Sequence, residues 1–287
     1  MSLVVFHASQ GRLGNQLFHL AALDKMCRAH DIGVLIGGRG LRQNFVWKRR
    51  NVIILSRRSD RFCNTLRALA ARGLASYYTE EKLTEGVPCA FESGQLERRV
   101  RSIVPISFVE HAYLQSDAWV GDKFRERLRF KPETVQAVDA FAAQHSIAWE
   151  TTIFVHVRRA DYTGFSINNS GSVALPPSYY REGIRKLETR LAVSTVLIVT
   201  DDPHYATSEF ADISRKIVVS RSPDFDLCAM THCATGVLSA SSFSWWGAML
   251  GPLRARPIVP RHWIGWRVGT TIPSAVVSQE FDALAVV

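Results

Sequence analysis

No apolar run in this chain reaches the roughly 18 residues that a bilayer-spanning helix needs. The opening segment, Met1-Ser2-Leu3-Val4-Val5-Phe6, has no basic stretch and no small-residue cleavage site, so it is expected to be a first strand and not a secretion signal. The five cysteines, Cys27, Cys63, Cys89, Cys228 and Cys233, are odd in number and form no C-x-x-C pair. That argues against a disulfide scaffold and a structural zinc site, and favours a reduced, cytoplasmic setting. The dinucleotide fingerprint G-x-G-x-x-G is absent, because Gly11 and Gly14 stand three apart and no third glycine follows. His7, His19, His30, His111, His145, His204, His232 and His262 make no H-E-x-x-H or triad spacing, although His111 lies near one candidate segment. Internal repeats, low-complexity tracts and Pro/Gly/Ser linkers are also missing.

The chain has 287 residues, long enough for one or two domains with substantial cores. Its formal charge of +9 lies mostly before residue 150. Arg39 to Arg72 carries ten basic residues against Asp60 alone. Such a segment suits an anionic membrane surface, an acidic glycan or simply water. Nucleic acid is disfavoured, because no helix-turn-helix, zinc-finger or RNP-like signature accompanies the charge.

Short β-branched runs alternate with helix-like stretches, which predicts parallel α/β architecture. Strands are expected at Leu3–Ala8, Ile32–Ile36, Val52–Leu55, Phe108–Tyr113, Thr151–Val157, Thr195–Thr200, Lys216–Ser220, Gly236–Ser239 and Arg256–Pro260. Helices are expected at Asn15–His30, Arg61–Gly73, Lys123–Phe130, Glu133–His145, Pro177–Leu191, Asp226–Cys233 and Phe243–Leu250. A fresh strand–helix series near residue 148 divides the chain into 1–148 and 149–287. The expected fold is two Rossmann-like open parallel-sheet domains facing a cleft.

The most informative segment is His156-Val157-Arg158-Arg159-Ala160-Asp161-Tyr162, where a buried strand passes into a loop. Ligands of open α/β sheets bind at such carboxyl ends. Arginine presents a rigid fork of donors that matches phosphate oxygens and stays charged at any working pH. The plain alternative is a surface arginine pair with Asp161 as salt-bridge partner. A second segment, Ser239 to Ala248, joins a strand to a helix, where hydroxyls and backbone N–H groups can hold phosphate. Serine capping is its plain alternative, and Trp245 and Trp246 are expected in the core. The third, Gln10 to Gln16, turns from the first strand into the first helix, with Asn15 as N-cap or with Arg12 and Asn15 at a reacting group. Asp201-Asp202 could hold a divalent ion or cap a helix; no metal is expected. Asp226 stands near a helix start, where it would favour the macrodipole.

Together these segments resemble the inverting α1,2-fucosyltransferases of glycosyltransferase family 11. The family's regions recur in order: Gly11 to Phe18, His156 to Tyr162 and Ser241 to Leu250, with Ala160 where the family has glycine. Tyr113 to Trp119 resembles its aromatic-Q-S segment, and Thr200 to Pro203 also fits. The resemblance implies a fold of the GT-B kind, GDP-fucose as donor, no metal or other cofactor, and transfer to the 2-hydroxyl of a terminal galactose-type sugar in an oligosaccharide or lipid-linked glycan. It implies that Arg158 holds the β-phosphate, that His156 and Asp226 contact guanine, and that Ser241, Ser242 and the backbone of Phe243 meet the phosphates. It also implies that Arg12 and Asn15 lie at the reacting centre and that the N-terminal domain takes the acceptor. Asp161, Asp117 and Glu110 are candidate bases. The Arg39–Arg72 segment would recognise an acidic glycan or dock the enzyme peripherally on the inner membrane. Alternative readings are α1,6- or protein O-fucosyl transfer, and a non-catalytic nucleotide-sugar or glycan binding protein.

Overall fold

The computed structural model describes residues 1–8, 12–57, 59–83, 91–110 and 112–287. They form two compact units, Met1–Lys131 with Pro273–Val276 and Pro132–Ile272 with Val277–Val287.

In the first unit the order is β1 (Leu3–His7), α1 (Leu13–Met26), β2 (Ile32–Ile36), α2 (Arg39–Asn44), β3 (Phe45–Trp47), β4 (Val52–Leu55), α3 (Asp60–Ala71), β5 (Ser76–Leu83), β6 (Phe91–Val100), β7 (Ile106–Val109), α4 (Phe124–Arg127) and β8 (Leu128–Phe130). The main sheet runs β4-β2-β1-β7-β5-β6. Its pairs are parallel except β5 with the edge strand β6. The β5–β6 hairpin lies outside the sequence expectation. Its strands are charged and alternate weakly, and β6 forms the edge of the sheet, where charged residues are common. Lys123–Phe130 is not one helix. A single turn, α4, passes into β8, which pairs antiparallel with β3 and sets Phe130 against Phe45 at 4.8 Å between ring centroids. The alternation of buried Leu128, exposed Arg129 and Phe130 matches a strand. α3 ends as its sequence suggests, at Gly73 with φ +70°.

The second unit follows as α5 (Pro132–Gln144), β9 (Thr152–Val157), α6 (Ala160–Gly164), α7 (Pro177–Glu188), β10 (Thr195–Thr200), α8 (Pro203–Glu209), β11 (Lys216–Val219), α9 (Pro223–His232), β12 (Thr235–Val237), α10 (Ser242–Met249), β13 (Ile258–Pro260) and β14 (Asp282–Leu284). The sheet order is β11-β10-β9-β12-β13-β14, parallel throughout. Every residue of β9 is buried, as its continuous β-branched run predicts. The division between units falls at Lys131/Pro132 and not near residue 148. The reason is packing: Phe141 of α5 meets Phe225 of α9 edge-on at 5.5 Å, and Thr134 donates to Asp224 at 2.8 Å, so α5 belongs to the second core.

Candidate active site

β9 lies between β10 and β12, so chain connections leave it toward both sides of the sheet. The carboxyl ends of these three strands meet at this switch point, the expected place for a ligand. His156 comes from β9, Asp201 follows β10 and Ser239 follows β12. His156 Nδ1 and Ser239 Oγ are 2.7 Å apart, and the imidazole lies 5.7 Å from the Phe243 ring. Burial pushes the His156 pKa down to about 4, with the Asp201 charge opposing, so the ring is neutral at pH 7.

Arg158 is held by two carboxylates. Its Nε and Nη2 donate to Asp161 Oδ1 at 2.9 and 2.6 Å, and Nη1 lies 2.8 Å from Asp201 Oδ2. Asp201 Oδ1 also accepts the backbone N–H groups of Arg159 and Ala160 at 2.8 and 3.4 Å, which shapes the turn into α6. Arg159 donates to Asp202 at 3.3 Å and stacks on Tyr205, 3.5 Å from its ring centroid. Asp202 caps α8 by accepting the Tyr205 N–H at 3.1 Å. Both members of the carboxylate pair therefore face guanidinium groups, which fits a capping and orienting role better than a divalent ion. Tyr162 donates to Ala240 O at 2.7 Å and so ties the arginine loop to the serine loop. A cavity of about 510 Å³ opens beside them, lined by Asp161, Tyr162, Gly164, Phe165 and Ile264.

Ser241 is the N-cap of α10, and its Oγ accepts the Phe243 N–H at 3.3 Å. The Phe243 backbone, expected to meet phosphate, is thus occupied by the cap, and its ring faces His156. Ser242 and Phe243 are half-buried at the helix start. Trp245 and Trp246 are fully buried and pack edge-on at 4.9 Å, as expected of core residues. Asp226 sits in the first turn of α9, where both carboxylate oxygens accept the Arg221 N–H at 3.1 and 3.2 Å. Burial raises its pKa to about 6, against that hydrogen bond and the Arg221 charge. The structure therefore gathers His156, Arg158, Asp161, Ser241, Ser242 and Phe243 along adjoining loops, while Asp226 faces Arg221 on the neighbouring helix. Asp201, which organises the loop, was considered from sequence only as a metal ligand or cap. Its position after a β-branched strand was the available signal.

The remaining sequence candidates lie in the first unit. Arg12 is the N-cap of α1, with no side-chain cap bond, and is exposed; Asn15 lies inside the first turn and is not the cap. Its Oδ1 accepts from Gln115 Nε2 at 3.1 Å, so the Tyr113–Trp119 segment meets the first motif across a hundred residues. Glu80, buried in β5, fixes that segment by accepting the N–H groups of Tyr113 and Gly94 at 2.5 and 2.8 Å. Gly11 and His111 lie outside the described residues. Within the basic segment, Arg49 pairs with buried Asp24 at 2.7 Å and Arg67 pairs with Glu110, so these two are structural and not a solvated face. Arg39 and Arg57, with Gln43 and Ser56, line a second cavity of about 510 Å³. No described helix is long and apolar enough to cross a membrane.

Comparison with known proteins meets this geometry. Residues 122–263, which hold the arginine and serine loops, match the model of Glycosyl transferase family 11. The chain is 30% identical over 117 residues to the O-antigen biosynthesis glycosyltransferase WbnK of Escherichia coli, covering 39% of each chain. It is 26% identical over 171 residues to an alpha-1,2-colitosyltransferase of Escherichia coli, covering 56% of this chain and 57% of that one. The chain thus spans well under two thirds of either relative. The solved structure of NodZ alpha-1,6-fucosyltransferase soaked with GDP-fucose superposes with a TM-score of 0.53 at 15% identity, covering 88% of this chain and 93% of that one. The NodZ structure from Bradyrhizobium superposes equally well, with a TM-score of 0.53 at 14% identity. The fold is of the GT-B kind, α/β with two mainly parallel-sheet units, and the stretch that carries the arginine and serine loops is similar to Glycosyl transferase family 11.

Proposed function

We propose that this protein is a glycosyltransferase that transfers L-fucose from GDP-fucose to the 2-hydroxyl of a terminal galactose-type residue, with inversion and without a metal ion. The observation that carries the reading is Arg158, presented as a fork at the carboxyl end of β9 beside the hydroxyl-bearing start of α10. In a single in-line displacement the acceptor oxygen bonds the anomeric carbon while the bond to the β-phosphate breaks and its electron pair leaves with GDP. Arg158 and the α10 N–H groups stabilise the charge that grows on the phosphate. To do so, Arg158 exchanges a carboxylate contact for phosphate oxygens, and Asp161 and Asp201 orient it beforehand. Neutral His156 and Asp226 contact guanine. Arg12 and Asn15 serve the acceptor in the first unit, with Arg39 and Arg57 available to an acidic sugar there.

The likeness to an alpha-1,2-colitosyltransferase favours GDP-colitose as a second candidate donor on the same site. Release of GDP from each donor, with EDTA present, with and without lactose, tests both. Lactose-stimulated release from GDP-fucose and an α1,2 linkage in the product are expected. Turnover of GDP-colitose alone would replace the donor, an α1,6 linkage would replace the regiochemistry, and abolition by EDTA would overturn the metal-free mechanism.

A further inference from the structure

Phe165 caps the carboxyl end of α6 and is 43% exposed. Apart from the terminal Val287, it is the one large apolar side chain so exposed among the described residues of the second unit. The backbone around it is fixed. Phe165 O accepts the Val173 N–H at 3.0 Å, Ser166 bridges to Ser172, and Ser172 Oγ donates to Tyr162 O at 2.8 Å. Ile167 and Val173 anchor this loop in the interior. A second segment, residues 262–267, is tied to it: Trp266 Nε1 donates to Val173 O at 3.0 Å and Arg267 Nε to Ser172 O at 2.7 Å. The chain reaches Ile264 through His262 (φ +67°) and Trp263 (φ +51°), consecutive left-handed residues whose side chains disfavour that conformation. Such strain persists where the surroundings fix it, commonly at ligand sites, and Trp263 is buried.

Phe165 and Ile264 share the cavity of about 510 Å³ with Asp161, Tyr162 and Gly164. The polar lining is already engaged. Asp161 Oδ1 accepts from Arg158, and the Tyr162 hydroxyl donates to Ala240 O at 2.7 Å. The Arg158 guanidinium carbon lies 5.7 Å from the Tyr162 ring centroid, so the cavity begins beside the phosphate-binding fork. The rest of the lining, Gly164, Phe165 and Ile264, offers no side-chain hydrogen-bonding group. With a nucleoside diphosphate sugar on Arg158, the sugar attached to the β-phosphate is the part that reaches this cavity. A hydroxyl against the apolar lining would lose water without gaining a partner, whereas a methyl is stabilised there.

We propose that Phe165 and Ile264 form the subsite for the C6 methyl of the transferred sugar, which selects 6-deoxyhexose donors over 6-hydroxylated ones; this rests on the GDP-sugar reading above. Fucose and colitose both carry that methyl, so the subsite accepts either candidate donor.

The test is calorimetric titration of GDP, GDP-fucose and GDP-L-galactose, the 6-hydroxy counterpart of GDP-fucose, into wild type, Phe165→Ala, Phe165→Leu and Ile264→Ala. Wild type is expected to bind GDP-fucose about tenfold to a hundredfold more tightly than GDP-L-galactose, the discrimination an apolar pocket supplies against an added hydroxyl. Phe165→Ala should bring the two donors to within about threefold of each other while GDP affinity stays unchanged, Phe165→Leu should keep most of the preference, and Ile264→Ala should fall between. A folded Phe165→Ala that keeps the wild-type ratio would overturn the subsite. A parallel loss of GDP affinity would do the same, since the ring would then only support the arginine loop. Failure of both Phe165 variants to fold would assign the ring to the core and likewise sink the proposal. A wild type that binds none of the three overturns the nucleotide-sugar reading itself, whereas one that binds GDP-fucose and GDP-L-galactose equally overturns the subsite alone.

Discussion

Replacing Arg158 by lysine alters the geometry of the proposed donor site while keeping its charge. Three nitrogens of the guanidinium are engaged, Nε and Nη2 on Asp161 and Nη1 on Asp201, all between 2.6 and 2.9 Å. A lysine ammonium can reach one carboxylate, and it cannot present two parallel N–H groups to a phosphate. The side chain is only 15% exposed, so water replaces the lost donors poorly. A missing donor to a charge that develops in the transition state typically costs about 10²–10³ in rate, or about 2.7–4 kcal/mol. Arg158→Lys should therefore lose about that factor in kcat/KM, with a smaller change in unfolding temperature because one ion pair survives. Initial rates of GDP release in EDTA, alongside calorimetric GDP titration, measure both parts. A folded Arg158→Lys enzyme within threefold of wild type would refute the bidentate role.

Further expectations follow from burial. His19 and His156 are both held at a pKa of about 4, chiefly by burial, against an ordinary 6.5. The unfolded chain binds their protons first, so stability falls as pH drops from about 6.5 toward 4, by on the order of 3 kcal/mol for each group. Urea midpoints that stay constant between pH 7 and 5 would contradict this, and His19→Gln should flatten the slope. Asp226→Asn removes a carboxylate whose pKa burial raises to about 6. Ionising it costs stability as pH rises through 6, so the variant should unfold later than wild type at pH 7.5 yet bind GDP at least tenfold more weakly. Unchanged GDP affinity by calorimetry would remove Asp226 from the nucleotide site. Gly236 of β12 sits where a Cβ would lie 2.4 Å from the Phe154 ring. Gly236→Ala should destabilise the second unit by about 1–3 kcal/mol through overpacking, and an unshifted melting curve would show that the ring yields freely.

The second sheet was largely legible before folding, because its strands are short, β-branched and buried on both faces. Thr152–Val157 and Thr195–Thr200 signal strands through composition alone. The first unit was harder. Its β5–β6 hairpin carries Glu80, Glu81 and Glu97 in strand positions, and the buried Glu80 is tolerated only because distant N–H groups satisfy it. The boundary was misplaced because α5 looks like any amphipathic helix until Phe225 is seen against Phe141.

By itself the sequence determined the α/β class, the two strand–helix series and the motif residues, since periodicity and motif spacing act over a few residues. The tertiary structure decided which of these residues meet. It set Asp201 on Arg158 across 43 positions, Ser239 on His156 across 83 and Glu110 on His7 across 103. Such contacts depend on strand order, and strand order is settled by the packing of whole sheets, which no local pattern encodes.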